Sequence, residues 1–122
     1  MGLTIKQKQT IFMVFAILFG ITALYHLVAV FYNINDSTPI RNLIFVVINT
    51  ICIYGILKRP KWFVYFFAAL FVQQCYSHGT DLYKTWMEKG KLDWISLLDL
   101  VILPTILFFL IKDWREKKEA GN

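Results

Sequence analysis

From Gln9 through Asn35 no residue carries a formal charge, and this uncharged run constrains the fold more than any other feature of the chain. A helix needs about 20 consecutive apolar residues to cross roughly 30 Å of hydrocarbon. The run exceeds that length, so it reads as a membrane span. The competing reading is a secretory signal peptide, because Lys6 and Lys8 precede the apolar stretch. The stretch is too long for a signal-peptide core, and no small-x-small cleavage site follows at a suitable distance. The first helix is therefore expected to be retained.

Composition extends this to the whole chain. Hydrophobic residues make up 57% of the 122 positions and charged ones 17%, against about 45–50% and about 25% in soluble domains. A domain of this size hides only a modest share of its surface, so lipid must cover the excess apolar area. The pattern predicts an all-α, integral membrane four-helix bundle forming a single domain, with spans near residues 10–32, 40–57, 62–78 and 94–111. Pro39 suits the first turn of the second helix. Pro104 falls inside the fourth, where a bundle tolerates a kink.

Lysine and arginine set the orientation. Lys6, Lys8, Lys58, Arg59, Lys61, Lys112, Arg115, Lys117 and Lys118 fall on one side, and Arg41, Lys84, Lys89 and Lys91 on the other. The richer side is expected to be cytoplasmic, which puts the N- and C-termini inside. The net charge of +5 is thus spent on membrane edges, where lipid headgroups are the partner, and no nucleic-acid groove accompanies it. The longest connection, residues 79–93, is expected outside. Gly79 is read as the end of helix three, Asp81 as a cap, and residues 82–87 as a short interfacial helix. The absence of a transit-like leader points to a bacterial inner membrane.

Polar side chains inside spans are costly unless paired or wet, so their placement is informative. Each helix carries one polar stripe: Thr22 and His26; Asn42 and Asn49; Gln74 and His78; Ser96 and Asp99. Counted from the outer boundaries, these converge in the outer third. They predict a ligand-binding pocket near the outer face, lined by His26, Asn49, Gln74, His78 and Asp99. Asp99 is expected to be protonated, or matched by His26 or Arg41. His26, His78 and Asp99 form a weak two-histidine, one-carboxylate metal set, without diagnostic spacing. Cys52 and Cys75 differ in depth by roughly 12 Å, too far for a disulfide.

No CxxC, HExxH, phosphate-binding glycine loop or GxSxG elbow occurs. The sequence names no cofactor. The leading functional expectation is a small multi-pass binding, transport or accessory subunit, with a small ligand or a membrane-protein partner and room for oligomerisation. Two alternatives stand beside it. One is a small membrane enzyme using a His/Asp acid–base pair or a metal; the other is a purely structural subunit of a larger complex. Orientation is testable first: reporter fusions at the C-terminus and within residues 79–93 should report opposite sides, and a shared side overturns the topology.

Overall fold

A computed structural model describes residues 2–121, which fold into four α-helices. They are α1 (Ile5–Phe31), α2 (Pro39–Lys58), α3 (Phe63–Lys89) and α4 (Trp94–Glu119). The chain divides into two compact units, Met1–Arg59 and Pro60–Asn122, each built around a helical hairpin. In the first, α1 packs on α2; in the second, α3 packs on α4.

Three helices, α1, α2 and α4, are long and apolar enough to cross a membrane. This makes the chain a membrane protein by length and composition. The third helix does not qualify. Its first turns, from Phe63 to Val72, are apolar, but Gln73, Gln74, His78, Asp81, Lys84 and Glu88 follow.

The helix ends follow local chemistry. Thr4 caps α1 in a reciprocal box with Gln7: the Gln7 N–H donates to Thr4 Oγ1 at 3.1 Å, and the Thr4 N–H to Gln7 Oε1 at 2.9 Å. Thr38 accepts from the Arg41 N–H at 3.2 Å, and Pro39 occupies the first turn of α2. Asp93 caps α4 through the Ser96 N–H at 3.2 Å. Past the expected end of the fourth span, α4 continues to Glu119, with Asp113 and Lys117 paired at 3.1 Å.

One expectation fails here. Gly79 does not end helix three, Asp81 does not cap a new segment, and no separate helix forms at residues 82–87. Instead α3 runs unbroken to Lys89, leaving only residues 90–93 as the connection. A mid-helix glycine costs about 1 kcal/mol, which Leu82, Lys84, Met87, Glu88 and Lys89 offset as good helix formers. The stop comes at Gly90, in the left-handed region at φ 61°, its N–H bonded to the Trp86 carbonyl.

Within each hairpin the partners run antiparallel. Arg59 lies 4.4 Å above the Phe12 ring, and a Cβ at Gly20 would sit 4.0 Å from Ile53 Cδ1. At the other end of that hairpin His26 meets Asn42. The first hairpin's core includes Phe12, Ala16, Ala29, Cys52 and Ile56, all buried. In the second, Tyr65 meets Trp114 edge-on at 6.4 Å, and His78 meets Ser96 and Asp99. Both cysteines are free thiols. The outer surface is apolar: Ile21, Leu24, Ile40, Ile95 and Phe108 each expose more than half of their area.

Gly90 offers a clean measurement. A Cβ there meets nothing within 4 Å, so Gly90→Ala adds only left-handed backbone strain. Its expected cost is about 1–2 kcal/mol, read as a lower midpoint for SDS-induced unfolding of the protein in mixed micelles. An unchanged midpoint would mean the connection does not hold this conformation.

Candidate functional site

The first hairpin gathers its polar groups where α1 passes into α2. Asn42 is the hub and is fully buried. Its Nδ2 donates to the Thr38 carbonyl and to Asn35 Oδ1, each at 3.2 Å. Its Oδ1 accepts from Asn35 Nδ2 at 3.0 Å and lies 2.9 Å from His26 Nδ1. Asn35 Oδ1 also accepts the Ser37 N–H at 3.1 Å, and Asn35 Nδ2 reaches Tyr25 Oη at 3.4 Å.

These bonds fix a proton. A backbone carbonyl can only accept and a backbone N–H can only donate, so Thr38 and Ser37 together set the orientation of both amides. Asn42 therefore presents its oxygen to His26, and His26 must donate from Nδ1. The neutral ring then carries its lone pair on Nε2. The imidazole lies flat on Phe45, with centroids 5.0 Å apart, and meets Tyr25 edge-on.

The second hairpin holds a longer chain of bonds. Asp93 Oδ2 accepts the Ser96 hydroxyl at 2.8 Å. Ser96 Oγ, buried with 3% of its residue surface exposed, is 3.3 Å from His78 Nδ1. His78 Nε2 is 3.2 Å from Asp99 Oδ2. With the hydroxyl proton committed to the Asp93 carboxylate, Ser96 Oγ accepts from His78 Nδ1–H, and a second proton lies between His78 Nε2 and Asp99. The Ser96 hydroxyl first, and then the Ser96 N–H, hold the Asp93 carboxyl below its ordinary value.

A serine, a histidine and an aspartate in series invite comparison with a hydrolase triad, but the serine is shut away from any substrate. In a triad the hydroxyl donates to the imidazole and the aspartate orients the far nitrogen. Here the hydroxyl is shared between Asp93 and His78, and Ser96 is too buried to meet a substrate.

The five residues proposed from sequence divide between the hairpins. His26 and Asn49 belong to the first; Gln74, His78 and Asp99 belong to the second. Asn49 is not part of the His26 cluster: its Nδ2 turns back to the Phe45 carbonyl at 2.7 Å, one turn earlier in the same helix. Gln74 bonds to its neighbour Gln73, not to His78. The group facing Asp99 is His78, where the sequence suggested His26 or Arg41. Thr22 likewise leaves the His26 stripe, donating to the Leu18 carbonyl at 3.0 Å. Within neither hairpin, among the described residues, do three His, Cys, Asp or Glu side chains gather into a set able to hold a metal ion.

Asn35 and Asp93 were missed as site residues. Each sits in a connection, where a polar residue reads as ordinary turn chemistry; only its neighbours reveal the second role. No family model matches the chain, and neither does any curated protein or solved structure.

The two buried asparagines should respond differently to removal. Asn42→Leu strands donors or acceptors on His26 and Asn35, and is expected to cost about 1–3 kcal/mol. Asn49→Leu removes one bond to its own helix, so its cost should stay below about 1 kcal/mol. Unfolding of the two variants in mixed micelles checks the order, and equal losses would deny Asn42 its role as hub.

Proposed function

We propose that this protein is a four-span, non-enzymatic membrane subunit for binding or transport, working through the His78–Asp99 pair. The observation that carries this reading is the bonding of His78 at both nitrogens, with a carboxylate from an apolar spanning helix on one of them. Intramembrane ionisable pairs of this kind mark ion, proton or polar-ligand sites more often than scaffolding. The Asp99 side chain keeps 40% of its surface accessible, so it can still receive a ligand's cationic or donor group.

The fourth span is part of the same proposal. Thirteen residues separate Tyr65 from His78 on α3, and fifteen separate Asp99 from Trp114 on α4, so both stretches measure roughly 20 Å. A helix that follows a spanning partner over that distance shares most of its depth. His78 then faces α4, and Asp81, Lys84 and Glu88 lie towards the wet end. Four spans return the chain to its starting side, in keeping with lysine and arginine placement, and put the site towards the outer face of a bacterial-type inner membrane.

Asp99→Asn tests the reading. The amide keeps the size and one hydrogen bond, so folding should survive while ligand binding or transport is lost. If Asp99→Asn has no effect and Asp99→Leu raises the unfolding midpoint, the pair is structural and the proposal fails. Release of a polar group from a membrane interior would then explain the gain.

A further inference from the structure

The polarity of the bonds in the second hairpin says what the site binds. Asp93 lies in the connection between α3 and α4, while Asp99 lies almost two turns into α4. Between them, Ser96 and His78 form an unbroken line of groups that can both give and take a proton: 2.8 Å from Asp93 to Ser96, 3.3 Å to His78, and 3.2 Å to Asp99. Resting on the reading of His78–Asp99 as the working site, we infer that its ligand is a proton, taken up from water at Asp93 and relayed through the Ser96 hydroxyl to His78.

The steps balance. With the pair deprotonated, Asp99 is a carboxylate and neutral His78 holds its one proton on Nε2, facing it. The Nδ1 lone pair then requires a donor, and the group within bonding distance is the Ser96 hydroxyl, which turns from Asp93 to His78. Asp93 keeps the Ser96 N–H. A hydronium ion transfers a proton to the Asp93 carboxylate, breaking one O–H bond and forming another. That proton passes to Ser96 Oγ as the serine's own proton passes to His78 Nδ1, so two bonds to hydrogen break and two form. Asp93 ends as a carboxylate accepting from Ser96, and His78 ends as an imidazolium between Ser96 and Asp99. This is the arrangement of bonds described above.

The groups that face His78 are few. Asp99 and Asp93 come from α4 and its cap; on α3 itself, Gln74 lies one turn before and Asp81 one turn after. His26 supplies a contrast in the same molecule. Its Nδ1 faces an amide oxygen that has no proton to give, so its neutral form keeps the proton on Nδ1. The two histidines should therefore be opposite tautomers.

The full chain in lipid vesicles, labelled with nitrogen-15 in histidine and carbon-13 in aspartate carboxyls, can be titrated with protons alone and followed by solid-state NMR. On deprotonation His78 is expected to lose its proton from Nδ1 and keep the one on Nε2, with the Asp93 carboxyl signal shifting in the same step. Neutral His26 should carry its proton on Nδ1. In Ser96→Ala the His78 step should persist and the Asp93 response should shrink to the effect of the His78 charge alone; Ser96→Thr, which keeps a hydroxyl, should restore it. Neutral His78 protonated on Nδ1 would overturn the relay. So would an Asp93 signal indifferent to His78, or one that follows it undiminished in Ser96→Ala, since only a through-space field survives there. If Asp99→Asn abolishes function while Asp93 ignores His78, the relay is wrong and the site stands. If Asp99→Asn has no effect on function, the reading of the site itself fails.

Discussion

Hydrocarbon offers no hydrogen bonds, and the threonines, asparagines and histidines of these helices are arranged around that fact. The backbone of each apolar span is satisfied by helix formation. The side chains then follow the same rule. Thr10, Thr22, Thr50, Thr80 and Thr105 all donate to the carbonyl four residues earlier, as does the Asn49 amide. A hydroxyl or amide so satisfied can face lipid or pack against a neighbour with little penalty. What remains after this local accounting is a small set of groups that cannot satisfy themselves, and these draw the helices into hairpins at particular places.

Two such sets form, and they solve the problem differently. Around Asn42 the solution is static. Both amides are oriented by backbone groups, every bond has a fixed donor, and the His26 ring is stacked on Phe45. No proton need move there, and the cluster holds the connection of the first hairpin. Around His78 the solution is ambivalent. Serine, imidazole and carboxylate can each exchange donor and acceptor roles, so two arrangements satisfy the same atoms. That difference is why the second cluster, and not the first, carries the functional proposal, although both contain a histidine hydrogen-bonded across a hairpin.

The helix count, the apolar character of α1, α2 and α4, and the placing of His78 and Asp99 on polar stripes could be read from the chain. Periodicity and the cost of charge in lipid are local properties, visible residue by residue. The length of α3 was misread because Gly79, beside a polar run, looks like a stop; helix propensity over the next ten residues outweighs one glycine, and the left-handed turn waits for Gly90. Asn49 and Gln74 were grouped with the histidines because they share a stripe, yet each found a partner within its own helix. A stripe tells which way a side chain points. It does not tell whether a nearer carbonyl or amide will take its bond first.

The sequence by itself determined that this chain is helical and belongs in a membrane, because an uncharged run longer than a bilayer is thick has few other places to go. It also determined which polar residues would be expensive there. Only the tertiary structure decided the pairings: His26 with Asn42, and His78 with Ser96 and Asp99. The physical reason is that a hydrogen bond depends on distances of a few tenths of an ångström and on which atom holds the proton. Those are set by the register of one helix against another, and register is a property of the packed hairpin that no single helix carries.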